Sequence, residues 1–298
     1  MYRRFYGLRE KPFALRPDAR FVYLARHHMR ALLLMEYGLL NEASFLLITG
    51  EIGSGKTTLI RCLLDRLDKS LVVGLVSHTS RGSGRLLQWV CLSFGLDVKG
   101  KEDVELYDDL VHFLIDVYAQ GKRAVLIVDE AQNLGSGRLE DLRLLSNLNS
   151  DQDFLLQMVI VGQPELRDLM RSPQLRQLAQ RVGADYHIGA LSAEETAKYI
   201  THRLRVAGGR PDLFTPEAMA LVHSCSRGIP RLINQLCDTA LVYGYSDQRP
   251  NIDEALMEEV VRDRLSGGIF PGRRATVAAQ RKEREPSSQA GGEHRTRT

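Results

Sequence analysis

Apolar residues fall along this chain in two rhythms. Four short unbroken runs, at 45–49, 71–77, 124–128 and 155–161, are dense in Val, Ile and Leu. Runs of that length and kind predict strands buried on both faces, as in a parallel sheet. A weaker run at 185–189 predicts a fifth. Between them apolar positions recur every three or four residues, at 57–67, 85–94, 104–119 and 139–149, and predict helices. In the last of these, Leu142, Leu145 and Leu148 share one helix face. Strands alternating with helices predict an α/β fold, an open parallel sheet flanked by helices.

After Leu191 the pattern turns to helix alone. Ser192 and Glu195 have the spacing of a capping box, in which each side chain satisfies the other residue's backbone N–H. The helix they open should stop at Gly208-Gly209. Thr215-Pro216 predicts a second start, with Pro where its missing N–H costs nothing. Further helices are expected at 231–243 and 252–265. The chain therefore divides into an aromatic-rich amino-terminal linker (1–40), an α/β core (41–191), a helical lid (192–265) and a tail (266–298).

The tail changes how the charge is read. The chain of 298 residues carries a formal net charge of +3. From Gly267 onward there are seven basic residues and three acidic ones, a net of +4, which leaves about −1 for the rest. The tail is basic and poor in apolar residues, so disorder is expected there; the folded part is near neutral. No apolar run approaches the ~18 residues needed to cross a bilayer. The amino terminus lacks a signal-peptide core. A cytoplasmic protein is expected, reaching the inner face of a membrane only through a partner. Cys62, Cys91, Cys225 and Cys237 are widely spaced, which suits reduced thiols better than a zinc site.

The candidate chemistry sits at strand ends. Gly50-Glu51-Ile52-Gly53-Ser54-Gly55-Lys56-Thr57 satisfies G-x-x-x-x-G-K-[ST], between a predicted strand and a predicted helix. Such a loop presents successive N–H groups, kept clear of side chains by glycine, to a triphosphate, and the helix N-terminus adds partial positive charge. Lys56 is expected at the β- and γ-phosphates, Thr57 at Mg²⁺ and Thr58 at the α-phosphate. The run 124–128 ends in Asp129-Glu130. Asp129 is placed to hold Mg²⁺ through water, and Glu130 to orient and deprotonate the attacking water. ATP and Mg²⁺ are thus the expected substrate and ion, and ATP hydrolysis the expected reaction. Gln163, after the run 155–161, is a candidate to contact the lytic water or a γ-oxygen, or else caps the helix starting at Pro164.

Two arginines extend the set. Arg231, in Gly228-Ile229-Pro230-Arg231, opens a lid helix from which it can reach the γ-phosphate. Arg181 precedes the last predicted strand, where it can serve a neighbouring subunit by stabilising transition-state charge; Arg176 competes for that role.

Phosphate loop, Asp-Glu strand, polar strand end, pre-strand Arg and Gly-x-Pro-Arg, in that order, resemble AAA+ ATPases. The opening Phe5-Tyr6-Gly7-Leu8-Arg9-Glu10-Lys11-Pro12-Phe13, then Pro17-Asp18 and Phe21-Val22-Tyr23-Leu24, is similar to that of the ExeA-like ATPases of the general secretion pathway. Asp129-Glu130-Ala131-Gln132-Asn133-Leu134 and Val161-Gly162-Gln163-Pro164-Glu165-Leu166 add to the likeness, which covers about residues 1–265. The Asp-Glu-Ala-Gln element is shared with transposition ATPases such as MuB and TniB. The resemblance implies an active oligomer, Tyr23–His28 near the adenine, a sensor-1 role for Gln163 and a sensor-2 role for Arg231. The opening segment equally suits a strap packed onto the core. Two departures stand out: the membrane span and cell-wall-binding region of the family's namesake are not found here, and Gly189-Ala190-Leu191 replaces the usual Pro-Leu before the lid.

The leading expectation is a homo-oligomeric, ATP-driven assembly or regulatory motor, a ring being one form, that serves secretion or exopolysaccharide export through an envelope or export partner. The alternative is a DNA-binding ATPase of the transposition kind, for which the tail arginines would neutralise phosphates. A nucleotide-dependent switch with little turnover is a third.

Overall fold

In the computed structural model, which describes residues 1–16, 18–68, 70–77, 85–148 and 155–267, five strands form one parallel sheet. They are β1 (Phe45–Gly50), β2 (Leu71–Val76), β3 (Arg123–Val128), β4 (Leu156–Gly162) and β5 (Val182–Ile188), in the order β2-β3-β4-β1-β5. Each predicted run is a strand. The weak fifth run is longer than its apolar signal because β5 is an edge strand, paired only with β1 and exposed at alternate residues. Pro17, Asn149 and the tail from 268 onward lie outside the described residues.

Period-two alternation divides each strand between two cores. Leu46, Ile48, Val125, Ile127, Val159 and Val161 face α2 (Arg26–Leu40) and α3 (Lys56–Leu64). Phe45, Leu47, Ala124, Leu126, Met158 and Ile160 face the opposite layer. That layer is α4 (Leu86–Ser93), α5 (Asp103–Ala119), α6 (Gly135–Leu145), α7 (Pro164–Met170) and α8 (Arg176–Gln180). Because all strands run the same way, the carboxyl ends of β1, β3, β4 and β5 share one edge. Thr49 pairs with both Gly162 and His187, and Val128 with Ile160.

The third core belongs to the lid, α9 (Ala193–Val206), α10 (Pro216–Ser226), α11 (Pro230–Ser246) and α12 (Glu254–Gly267). The capping box forms at its start: Ser192 N–H donates to Glu195 Oε2 at 3.0 Å, and Glu195 N–H to Ser192 Oγ at 3.1 Å. Pro216 and Pro230 each stand in the first turn of their helices. The amino-terminal segment packs here rather than on the sheet. Tyr2 and Phe5, in the short helix α1 (Tyr2–Phe5), begin it, and Tyr2, Tyr6, Leu8, Phe13, Phe21 and Ala25 join Leu204, Ile233, Leu241 and Leu256 in one buried cluster. The stretch 1–40 is therefore two things: a strap built into the lid up to Ala25, and a helix of the sheet layer after it. Aromatic composition signalled burial but not the partner.

Candidate functional site

Local sequence shapes the loop after β1. Gly53 and Gly55 have φ of +83° and +104°, a region that side chains with a Cβ rarely adopt. Gly55 is the residue before α3, so the N–H groups of that helix's first turn open toward the loop. A Cβ on Gly53 would lie 2.5 Å from the Cβ of Arg231, so the lid sits directly against the loop. Arg231 N–H donates to the Gly53 carbonyl at 3.3 Å, which aims the amino terminus of α11 at the same spot.

Lys56 is buried, and its Nζ donates to the carbonyls of Gly50 at 2.7 Å and Glu51 at 3.0 Å. Burial pulls its pKa down, while Glu130, Asp129 and Glu51 work against that. Thr57 Oγ1 donates to Asp129 Oδ2 at 3.1 Å. Burial pushes the Asp129 carboxyl up, partly offset by hydrogen bonds from the Glu130 N–H and Thr57. A hydroxyl and a carboxylate so close are hard oxygen donors, and they fit magnesium, which takes one or two protein oxygens and draws the rest from water and phosphate.

Glu130 has φ of +53° without being glycine, an uncommon conformation that costs energy and persists only where its surroundings enforce it. Its Oε2 accepts from Gln163 Nε2 at 3.0 Å and from Gln132 Nε2 at 2.6 Å. Burial alone would raise the Glu130 carboxyl, but these amides and the Lys56 charge outweigh it and hold the group below the ordinary glutamate value.

These groups border a cleft of about 330 Å³ between sheet edge, lid and strap. Of the loop, Ile52, Gly53, Gly55, Lys56, Thr57 and Thr58 line it, with Glu130 and Arg231. Gly50, Glu51, Ser54, Asp129 and Gln163 do not line it, and Gln163 meets the site through Glu130. Tyr23 and Leu24 of the strap and His28 of α2 form a further wall. His28 is buried, its Nε2 lies 2.7 Å from the Ser54 carbonyl, and burial lowers its pKa. Arg181 and Arg176 are exposed and stand apart from the cleft. Arg181 donates to Ser146 Oγ and precedes β5 at its amino end, about 20 Å of strand from the carboxyl edge.

Several lining residues went unread in the sequence. Arg203, Tyr199 and Asn234 face the cleft from the lid. Arg203 sits four residues after Tyr199 on the apolar face of α9, and a basic residue on such a face was the available signal. Gln132 was visible only as part of the Asp-Glu-Ala-Gln element, and no spacing rule gives it a partner.

The model of a family described as "AAA domain" matches residues 40–170. General secretion pathway protein A of Aeromonas hydrophila is 44% identical over 248 residues, 83% of this chain and 45% of that protein, so the chain spans less than half of that relative's length. Among solved structures, the ORC2 protein of Aeropyrum pernix in ADPNP–ADP complexes superposes with a TM-score of 0.63 at 17% identity, covering 85% of this chain and 71% of that one. The ORC1 protein of the same organism in complex with DNA gives 0.63 at 17% identity, covering 87% and 71%. The fold is that of an AAA+ P-loop protein, a parallel sheet followed by a helical lid.

Proposed function

We propose that this chain, an ExeA-like AAA-domain protein, binds Mg·ATP in the cleft between sheet and lid and hydrolyses it as an oligomer working in secretion or export. The observation that carries the reading is the convergence of Lys56, Thr57, Asp129, Glu130 and Arg231 around one loop of open N–H groups. The N–H groups after Gly55 and the α11 terminus favour anionic oxygens at the loop. Lys56 is held where it can exchange loop carbonyls for the β- and γ-phosphates. Thr57 and Asp129 would hold magnesium, which supplies charge neutralisation on the phosphates when bound.

Glu130 orients a water and takes its proton as the water oxygen bonds to the γ-phosphorus and the bond to the bridging oxygen of ADP breaks. Its depressed pKa keeps it ionised through the physiological range. Gln163 fixes the Glu130 carboxylate and faces the same water. Arg231 brings the lid's charge to the γ-phosphate. Residues 23–28, where the strap passes into α2, enclose the base. Arg181, distant from its own cleft, acts on the nucleotide of a neighbouring subunit, with Arg176 as the competing donor. An envelope or export component is the partner the relative's name suggests.

Single-turnover hydrolysis with protein in excess tests the assignment. Glu130→Gln should retain ATP affinity and lose at least about 100-fold in rate. Hydrolysis at the wild-type rate in that variant would remove Glu130 from the mechanism.

A further inference from the structure

The amide of Gln132 makes two directed contacts across the site. Its Nε2 donates to Glu130 Oε2 at 2.6 Å, and its Oε1 accepts the Gln163 backbone N–H at 2.9 Å. The Gln163 side chain donates to that same Glu130 oxygen at 3.0 Å. Gln132, Glu130 and the first residue after β4 thus close a ring of hydrogen bonds. Turning the amide over would set its oxygen against a carboxylate and its NH₂ against an N–H, so the ring admits one orientation.

Two backbone features belong to this ring. Glu130 lies in the left-handed region at φ +53°, and the short 3₁₀ turn Ala131–Asn133 that follows returns the chain so that Gln132 faces Glu130. Gly162, the last residue of β4, leaves the space that Gln132 enters. A Cβ there would lie 2.9 Å from Gln132 Oε1 and 2.6 Å from a Leu166 methyl. The absence of a side chain at the end of a buried strand is what lets the amide reach across.

We infer that Gln132 is a positioning residue for ATP hydrolysis, tying the Glu130 carboxylate to the end of β4 so that base and Gln163 face the lytic water as one unit. The inference rests on the reading of Glu130 as the base. Gln132 does not line the cleft, so it acts through Glu130 rather than on the nucleotide. Lys56 also acts on this carboxylate, and the substitutions below leave it unaltered.

The test is the single-turnover rate at saturating Mg·ATP, with ATP affinity measured alongside so that rate and binding are separated. Gln132→Ala should slow the rate by about 10-fold. Gln132→Glu keeps the length but sets a second carboxyl against the first, and should slow it by about 100-fold. ATP affinity should stay within about twofold in both, since Gln132 reaches the nucleotide only through Glu130. Gly162→Ala, which crowds the amide from the backbone side, should slow the rate in the same direction. A wild-type rate in either Gln132 variant, or a loss expressed as weakened ATP affinity with the rate intact, overturns the inference. If Glu130→Gln itself hydrolyses normally, the reading of the base has failed instead, and the two failures are told apart by that one variant.

Discussion

The sheet and the lid differ in how each gathers its core. Every strand of the sheet announces itself: β3 is apolar at all positions after Arg123, and its alternate residues serve two helical layers without reference to what those layers contain. The lid core is joined from the two ends of the described chain. Tyr2 OH donates to Asp238 at 2.5 Å, and Arg203 Nε donates to the Pro12 carbonyl at 2.5 Å, with Nη2 on the Ala14 carbonyl at 3.1 Å. The Arg203 guanidinium also lies over the rings of Phe21 and Tyr199. A parallel sheet gives the phosphate loop a rigid edge to stand on. The lid and strap, clasped to each other, form the opposite wall of the same cleft and meet the sheet layer through contacts such as Arg231 to Gly53 and Arg26 to Glu195. On the reading proposed above, chemistry would reside on the first and closure would depend on the second.

Breaking the clasp should have the larger effect. Arg203→Ala strips two strap carbonyls and the Tyr199 hydroxyl of their donor inside a buried cluster, at a cost of about 2–4 kcal/mol. Thermal melting should fall by about 6–12 °C, and amide exchange should quicken first in residues 2–25. Arg203→Lys should recover little, because one ammonium cannot reproduce the planar fork. Melting like the wild type would mean that the strap is a linker after all.

A smaller effect sharpens the comparison at the seam. Glu195 closes the lid's capping box and also accepts the Arg26 N–H at 3.2 Å, where the strap becomes α2. Burial would raise its carboxyl, but the N–H groups of Ser192 and Arg26 outweigh it and hold the value down. A depressed folded pKa contributes stability that is full above the unfolded value and is lost as pH falls through the folded one. Glu195→Gln should therefore lower the melting temperature by about 1–2 °C near neutral pH, allowing for solvent screening. Once the pH has fallen below the folded pKa, the two proteins should converge. A difference that grows toward acid would reverse the sign assigned to this carboxylate.

The same contrast explains what could be read in advance. Apolar runs, the Ser192–Glu195 box and the glycine-spaced loop are local, so the sequence carries them entire. The structure sets β4 beside β1, which brings Gln163 to the sheet edge that carries the loop. The strap's destination was not legible, because Tyr2, Tyr6 and Phe13 signal burial without naming a partner some two hundred residues away. Nor was the reach of Gln132, which depends on a left-handed Glu130 and a bare Gly162 on another strand. Arg203 is hidden for a similar reason: its charge is met by carbonyls and aromatic faces, and no carboxylate spacing marks it.

Calorimetric titration with Mg·ATP, run on the full chain and on Lys56→Ala, tests the central claim most directly. The account predicts saturable binding of one nucleotide per chain, weakened by about 100-fold in the variant, with melting in the absence of nucleotide unchanged. Equal affinity in the two proteins, or no heat of binding in the first, would contradict it.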